Sequence, residues 1–141
     1  MLTRILIAYD DSPSARRALA EAVCLAQVEG ARLIAVAMEE HPPCWDGADA
    51  SEVLEEHERG LRACHRWLKA AQAYACEHGV PITTEIRTGS FVHQLAHAAA
   101  GHQADLVVIG RSRHPHLWGR LTGTKAERAT RRLGYSILIA G

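Results

Sequence analysis

Arg4-Ile-Leu-Ile-Ala-Tyr-Asp-Asp-Ser-Pro13 packs an apolar run, two carboxylates and a helix start into ten residues. Residues 5–9 are continuously apolar, as in a strand covered on both faces. Ser12-Pro13 reads as an N-cap followed by proline at the first helical position. A buried strand running straight into a helix is half of a βαβ unit, and the pairing recurs down the chain. Residues 33–38, 106–109 and 137–140 are further continuous apolar runs, while 82–87 alternates more and holds two threonines.

Helical spacing fills the intervals. Over 14–27 the apolar positions are Ala15, Ala18, Leu19, Ala22, Val23 and Ala26. Over 51–78, Leu54, His57, Leu61, Cys64, Leu68, Ala71 and Ala75 keep a three-four rhythm, which predicts a buried face. Residues 92–100 and 125–133 give a third helix and a basic fourth one. Ser90 is a candidate cap for the third, and Thr124-x-x-Glu127 is a capping box for the fourth. Gly30, Gly79 and Gly134 stand where helices should stop. The order βαβαβαβαβ predicts a single-domain, doubly wound α/β fold over residues 1–141, a five-stranded parallel sheet with helices on both faces. In such sheets ligands bind beyond the carboxyl ends of the strands, where the winding reverses. In the strand order 3-2-1-4-5 the loops after Tyr9 and Ile109 face one crevice. Residues 41–50, with Pro42, Pro43, Trp45 and Gly47, are expected to form a surface loop over its rim.

Composition narrows the function. The chain has 141 residues, 48% apolar and 23% charged, a globular balance. Lys plus Arg equals Asp plus Glu at 16 each, which argues against a nucleic-acid coat or a polybasic membrane binder. That zero is a cancellation of zones. Residues 39–58 carry −8 with no Lys or Arg, residues 111–132 carry +6, and the remainder carries +2. Cys24, Cys44, Cys64 and Cys76 form no C-x-x-C, so buried free thiols are expected rather than a redox pair or zinc knuckle. No basic flank or cleavage site precedes the first strand, and no apolar run approaches the roughly 20 residues that span a bilayer. A cytoplasmic location is expected.

Two segments could carry chemistry. Asp10-Asp11-Ser12 puts carboxylates at the end of strand 1, where one can accept hydrogen bonds from a ribose or hold a metal, and Ser12 caps the next helix. The loop from Gly110 to Thr124 holds three glycines, hydroxyls and several arginines before a helix N-terminus, a setting that favours a phosphate. Neither G-x-x-x-x-G-K-[ST] nor G-x-G-x-x-G is present. His93 and His97, and His114 and His116, are pairs without a third ligand and read as solvated or capping residues.

At these residues the chain resembles the universal stress protein family over nearly its whole length. The opening strand ends in Asp10-Asp11-Ser12 where the family has D-x-S. Gly89 and Asp105-Leu-Val-Val-Ile-Gly110 also fit. Nucleotide-binding members carry G-x-x-G, nine residues, then G-[ST]; Gly110 matches the first glycine and Gly123-Thr124 the last pair, with Arg113 at the middle glycine. The resemblance implies the order 3-2-1-4-5, a homodimer along strand 136–140, and binding of ATP, ADP or AMP, with Mg2+ beside a triphosphate. It assigns Asp10 to the ribose, and Ala8 and the Val36 backbone to the neighbourhood of adenine. Ile109 and Gly110 would flank the nucleotide, and Gly123 and Thr124 would hold phosphates, with Arg113 as a clamp. Asp11 stands where many members have glycine, and Ala126 lacks a hydroxyl that often follows G-[ST]-x. The expected function is that of a nucleotide-binding regulatory stress-response protein, acting through a protein partner rather than by turnover. The competing expectation is an interaction module of the same fold that binds no nucleotide, with Arg113 filling the phosphate position. A phosphoacceptor switch is excluded by the absence of an aspartate in Glu85-Ile-Arg87-Thr88-Gly89, at the end of strand 3.

Overall fold

The computed structural model describes residues 1–39, 49–111 and 135–140. Among these, strands β1 (Arg4–Ala8), β2 (Arg32–Glu39), β3 (Ile82–Thr88), β4 (Leu106–Gly110) and β5 (Ser136–Ala140) accompany helices α1 (Pro13–Glu29), α2 (Ala50–Glu77) and α3 (Phe91–Gly101). The strands pair in parallel in one sheet of order β3-β2-β1-β4-β5, the class and order expected from the sequence. The fourth helix, its Thr124–Glu127 box, Gly134 and the rim loop up to residue 48 lie outside the described residues.

The continuous apolar runs follow from strand geometry. Successive side chains point to opposite faces, and here both faces are covered. Ile5, Ile7, Leu33, Ala35, Ala37 and Val108 pack with α1 and α2. Leu6, Ala8, Ile34, Val36, Met38, Val107 and Ile109 pack with α3. Passing from β1 to β2 to β3 winds the chain one way, with α1 and α2 on one face. Passing from β3 to β4 reverses it and puts α3 on the other, so the switch point falls between β1 and β4.

The sequence signals for α1 hold at both ends. Ala15 N donates to Ser12 Oγ at 3.2 Å, and Gly30 closes the helix with φ 66°. Ser90 occupies the N-cap position of α3, but its side chain makes no capping bond. The stripe along α2 is buried over only half its length. Cys64, Leu68, Ala71 and Ala75 are buried, His57 and Leu61 are partly so, and Leu54 is 56% exposed. The cause is length: 28 helical residues span about 42 Å, whereas the eight residues of β2 span about 26 Å. The first half of α2 therefore outruns the carboxyl edge of the sheet.

The expectation of buried thiols is corrected in part. Cys64 is buried, but Cys24 and Cys76 are exposed; Cys44 lies outside the described residues. Burial, and then the charge of Glu39, push the Cys64 thiol up to about 11. Among the described residues no helix is long and apolar enough to cross a membrane.

Candidate functional site

The site is built where β1 becomes α1. Tyr9 N donates to the Val36 carbonyl at 2.9 Å, carrying the β1–β2 ladder one residue past Ala8. The backbone then turns sharply. Asp10 Oδ1 accepts from Ser12 N at 3.0 Å, fixing the carboxylate over the turn. Asp11 adopts φ 58°, a left-handed conformation that Asp tolerates and glycine adopts freely.

The two adjacent carboxylates have different surroundings. Asp10 lines the crevice. The Asp11 carboxylate accepts from Tyr9 Oη at 2.7 Å and from Arg16 Nε and Nη2 at 3.1 and 3.2 Å. The Arg16 guanidinium, with help from Tyr9, holds the Asp11 carboxyl below the usual carboxylate range. Burial, then the bond to Asp11, raise the Tyr9 phenol. The extra negative charge of Asp11 is thus spent within the protein, on α1.

The crevice is an open cleft of about 360 Å³ counted with the solvent space at its mouth. Ala8, Val36, Met38 and Phe91 line it from the apolar layer under α3. Asp10, Ser12 and Ser14 supply polar groups from the turn and the first residues of α1, joined there by Tyr9, Ala15 and Gly110. One wall is therefore apolar and the other carries a carboxylate and hydroxyls beside a helix start. Such a site suits a ligand with a flat apolar part and a hydroxylated part. Gly110 closes the floor. A Cβ there would stand 2.7 Å from the carbonyl carbon and oxygen of Ser14 and 2.9 Å from Ala15 N, so only glycine lets β4 meet the α1 backbone.

Of the residues singled out in the sequence, Ala8, Asp10, Val36 and Gly110 come together along this crevice. Ile109 lies next to it but is buried in the apolar layer and takes no part in the lining. Arg113, Gly123 and Thr124, and with them His114 and His116, lie outside the described residues. Sequence reasoning missed Tyr9, Met38, Ser14, Ala15 and Phe91. Met38 was accessible through strand parity, two residues beyond Val36 on the same face. Ser14 and Ala15 open the capped helix that follows Asp10. Phe91 carries no local signal, because its position depends on the β3–α3 turn. His93 and His97 are exposed, and among the described residues no group of three His, Cys, Asp or Glu side chains is placed to hold a metal.

Known proteins share this fold. The Universal stress protein family matches residues 1–140. A universal stress protein of Thermus aquaticus is 36% identical over 111 residues, covering 78% of this chain and 77% of its own. The crystal structure of a universal stress protein in complex with cAMP is similar with a TM-score of 0.73 and 26% identity, covering 99% of this chain and 97% of its own. An Arabidopsis thaliana universal stress family protein with AMP bound shares the fold, with a TM-score of 0.71, 13% identity, and coverage of 98% and 90%. With a family match along almost all of its length and a sheet order that agrees with the fold of its structural neighbours, this chain belongs to the universal stress protein family.

Proposed function

We propose that this chain binds an adenine nucleotide in the crevice between β1, β2 and β4 and serves as a regulatory stress-response protein that acts through a protein partner. The observation that carries the reading is the two-sided crevice. Its apolar wall suits a purine, and the Asp10 carboxylate, anchored on one oxygen by Ser12 N, suits ribose hydroxyls. The cAMP-bound and AMP-bound relatives support adenine as the base. ATP, ADP and AMP are the candidate ligands. Gly123 and Thr124, with Arg113, are the proposed phosphate contacts, and Asp10 is the candidate ligand for the Mg2+ that would accompany a triphosphate. The reading assigns no general base or nucleophile, so it does not require turnover.

Calorimetric titration with ATP, ADP, AMP and cAMP, with and without Mg2+, tests it. Saturable heat for at least one nucleotide is expected, and its absence at millimolar ligand overturns the reading. Arg113, standing where nucleotide-binding members have the middle glycine, favours one alternative: an interaction module whose phosphate space is filled by the protein. Arg113→Gly separates the two. Binding that appears only in the variant supports the alternative, whereas affinity lost in the variant makes Arg113 a phosphate clamp. We also propose a homodimer along β5 and a cytoplasmic location for the chain.

A further inference from the structure

We infer that Glu39 is a positioning residue for the crevice, tying the end of β2 to the β3–α3 turn and so fixing where Phe91 stands. The inference rests on the nucleotide reading for its binding consequence but uses a group that reading does not involve.

Among the described residues, Glu39 is the buried charged side chain, 7% exposed. A carboxylate in such a place costs free energy unless donors surround it. His57 Nδ1 lies 2.7 Å from Glu39 Oε1, and Thr88 Oγ1 donates to Oε2 at 3.1 Å. The Glu39 carbonyl also accepts from Gly89 N at 3.1 Å. Glu39 and Thr88 are the last register pair of β2 and β3. The side chain thus doubles the tie that the backbone already makes. On its other side the carboxylate meets α2 at Gly60, where a Cβ would stand 3.0 Å from Glu39 Cγ and Oε1. Three elements converge on one acceptor.

What that acceptor holds is a wall of the crevice. Gly89 has φ 133°, a conformation that favours glycine, and two residues later Phe91 opens α3. Phe91 and Met38, the residue before Glu39, both line the crevice. An apolar side chain could fill the space at 39 but could not accept from Thr88, and directional bonds are what fix a turn. Loss of the carboxylate removes the Thr88 bond and leaves the turn tied to β2 by the Gly89 N bond to the residue 39 carbonyl, with the Arg87 Nη1 bond to Gln94 Oε1 spanning it.

The test compares the full chain with Glu39→Ala and Glu39→Gln by hydrogen exchange and by titration with AMP. Glutamine can accept from Thr88 through its oxygen and donate to a neutral His57 through its amide. In Glu39→Ala, exchange of the hydrogen-bonded Gly89 and Gln94 amides should rise about tenfold while those of β1 and α1 keep their rates, and AMP affinity should fall about tenfold. Glu39→Gln should restore both. Unchanged exchange at Gly89 and Gln94, exchange raised evenly along the chain, or a glutamine variant as impaired as alanine would overturn the inference. If Glu39→Ala does not fold, Thr88→Val must reproduce the local rise in exchange, and its failure to do so also overturns it. If the unmodified chain takes no AMP, the exchange measurement alone decides the positioning role, and the nucleotide reading falls only when ATP, ADP and cAMP fail as well.

Discussion

A single methyl group at position 110 would press on the carbonyl of Ser14 at 2.7 Å, a contact with backbone that cannot swing aside. Gly110→Ala must push α1 away from β4 or strain the turn, and overpacking of this kind costs about 1–3 kcal/mol. Urea unfolding should report a loss of that size, and AMP binding should weaken with it because α1 supplies one wall. Asp105 works by charge instead. Its Oδ2 accepts from Thr3 Oγ1 and Thr3 N at 2.7 Å each and from Arg4 N at 2.8 Å, joining the start of β1 to that of β4. These donors, the Thr3 hydroxyl foremost, lower its carboxyl to about 2. A lowered pKa stabilises the fold at neutral pH, and that contribution is lost as pH falls from about 4 towards 2. Asp105→Asn should therefore flatten the acid limb of a stability–pH curve between those values, and an unaltered slope would refute the role. The sequence disclosed residues at this scale unevenly. Asp10 and Gly110 stood out by type and place, but the reason for Gly110 is a contact with a helix a hundred residues earlier, which spacing cannot reveal.

The elements were more legible than their burial. Apolar runs, caps and stop glycines located the described strands and helices to within a residue or two, because continuous β-branched runs and three-four spacing reflect the geometry that buries them. Which part of a periodic helix meets the sheet depends on relative length, and here α2 exceeds β2. The consequence is measurable. Leu68→Ala, in the buried half, should cost about 2–5 kcal/mol of unfolding free energy. Leu54→Ala, on the half that outruns the sheet, should stay within about 0.5 kcal/mol of the unmodified chain. Equal losses at the two positions would mean that the first turns of α2 are covered as well. The crevice wall follows the same logic: Val36 and Met38 share a face by parity, whereas Phe91 arrives through a turn held by glycine and Glu39.

At the scale of the molecule, the two edges of the sheet differ. β3 presents exposed Thr83 and Thr84, and Glu85 is engaged by Arg87 at 2.9 Å and by His102. Polar and charged edges resist pairing with another chain. β5 is apolar, with Ile137 and Leu138 partly buried and Ile139 49% exposed. Among the described residues no strand pairs with the outer edge of β5, and such an edge beside exposed isoleucine favours a second copy in twofold, isologous contact. The zero net charge removes any overall repulsion between copies and leaves local fields to orient them. Sedimentation at micromolar concentration should give a particle of twice the chain mass. Ile139→Lys should shift it to one chain by placing a desolvated charge in the seam, and Thr84→Lys, on the opposite edge, should leave the dimer intact. A single-chain mass for the unmodified protein would refute the edge assignment. Dissociation by Thr84→Lys with Ile139→Lys unaffected would move the contact to β3, where the exposed residues are threonines.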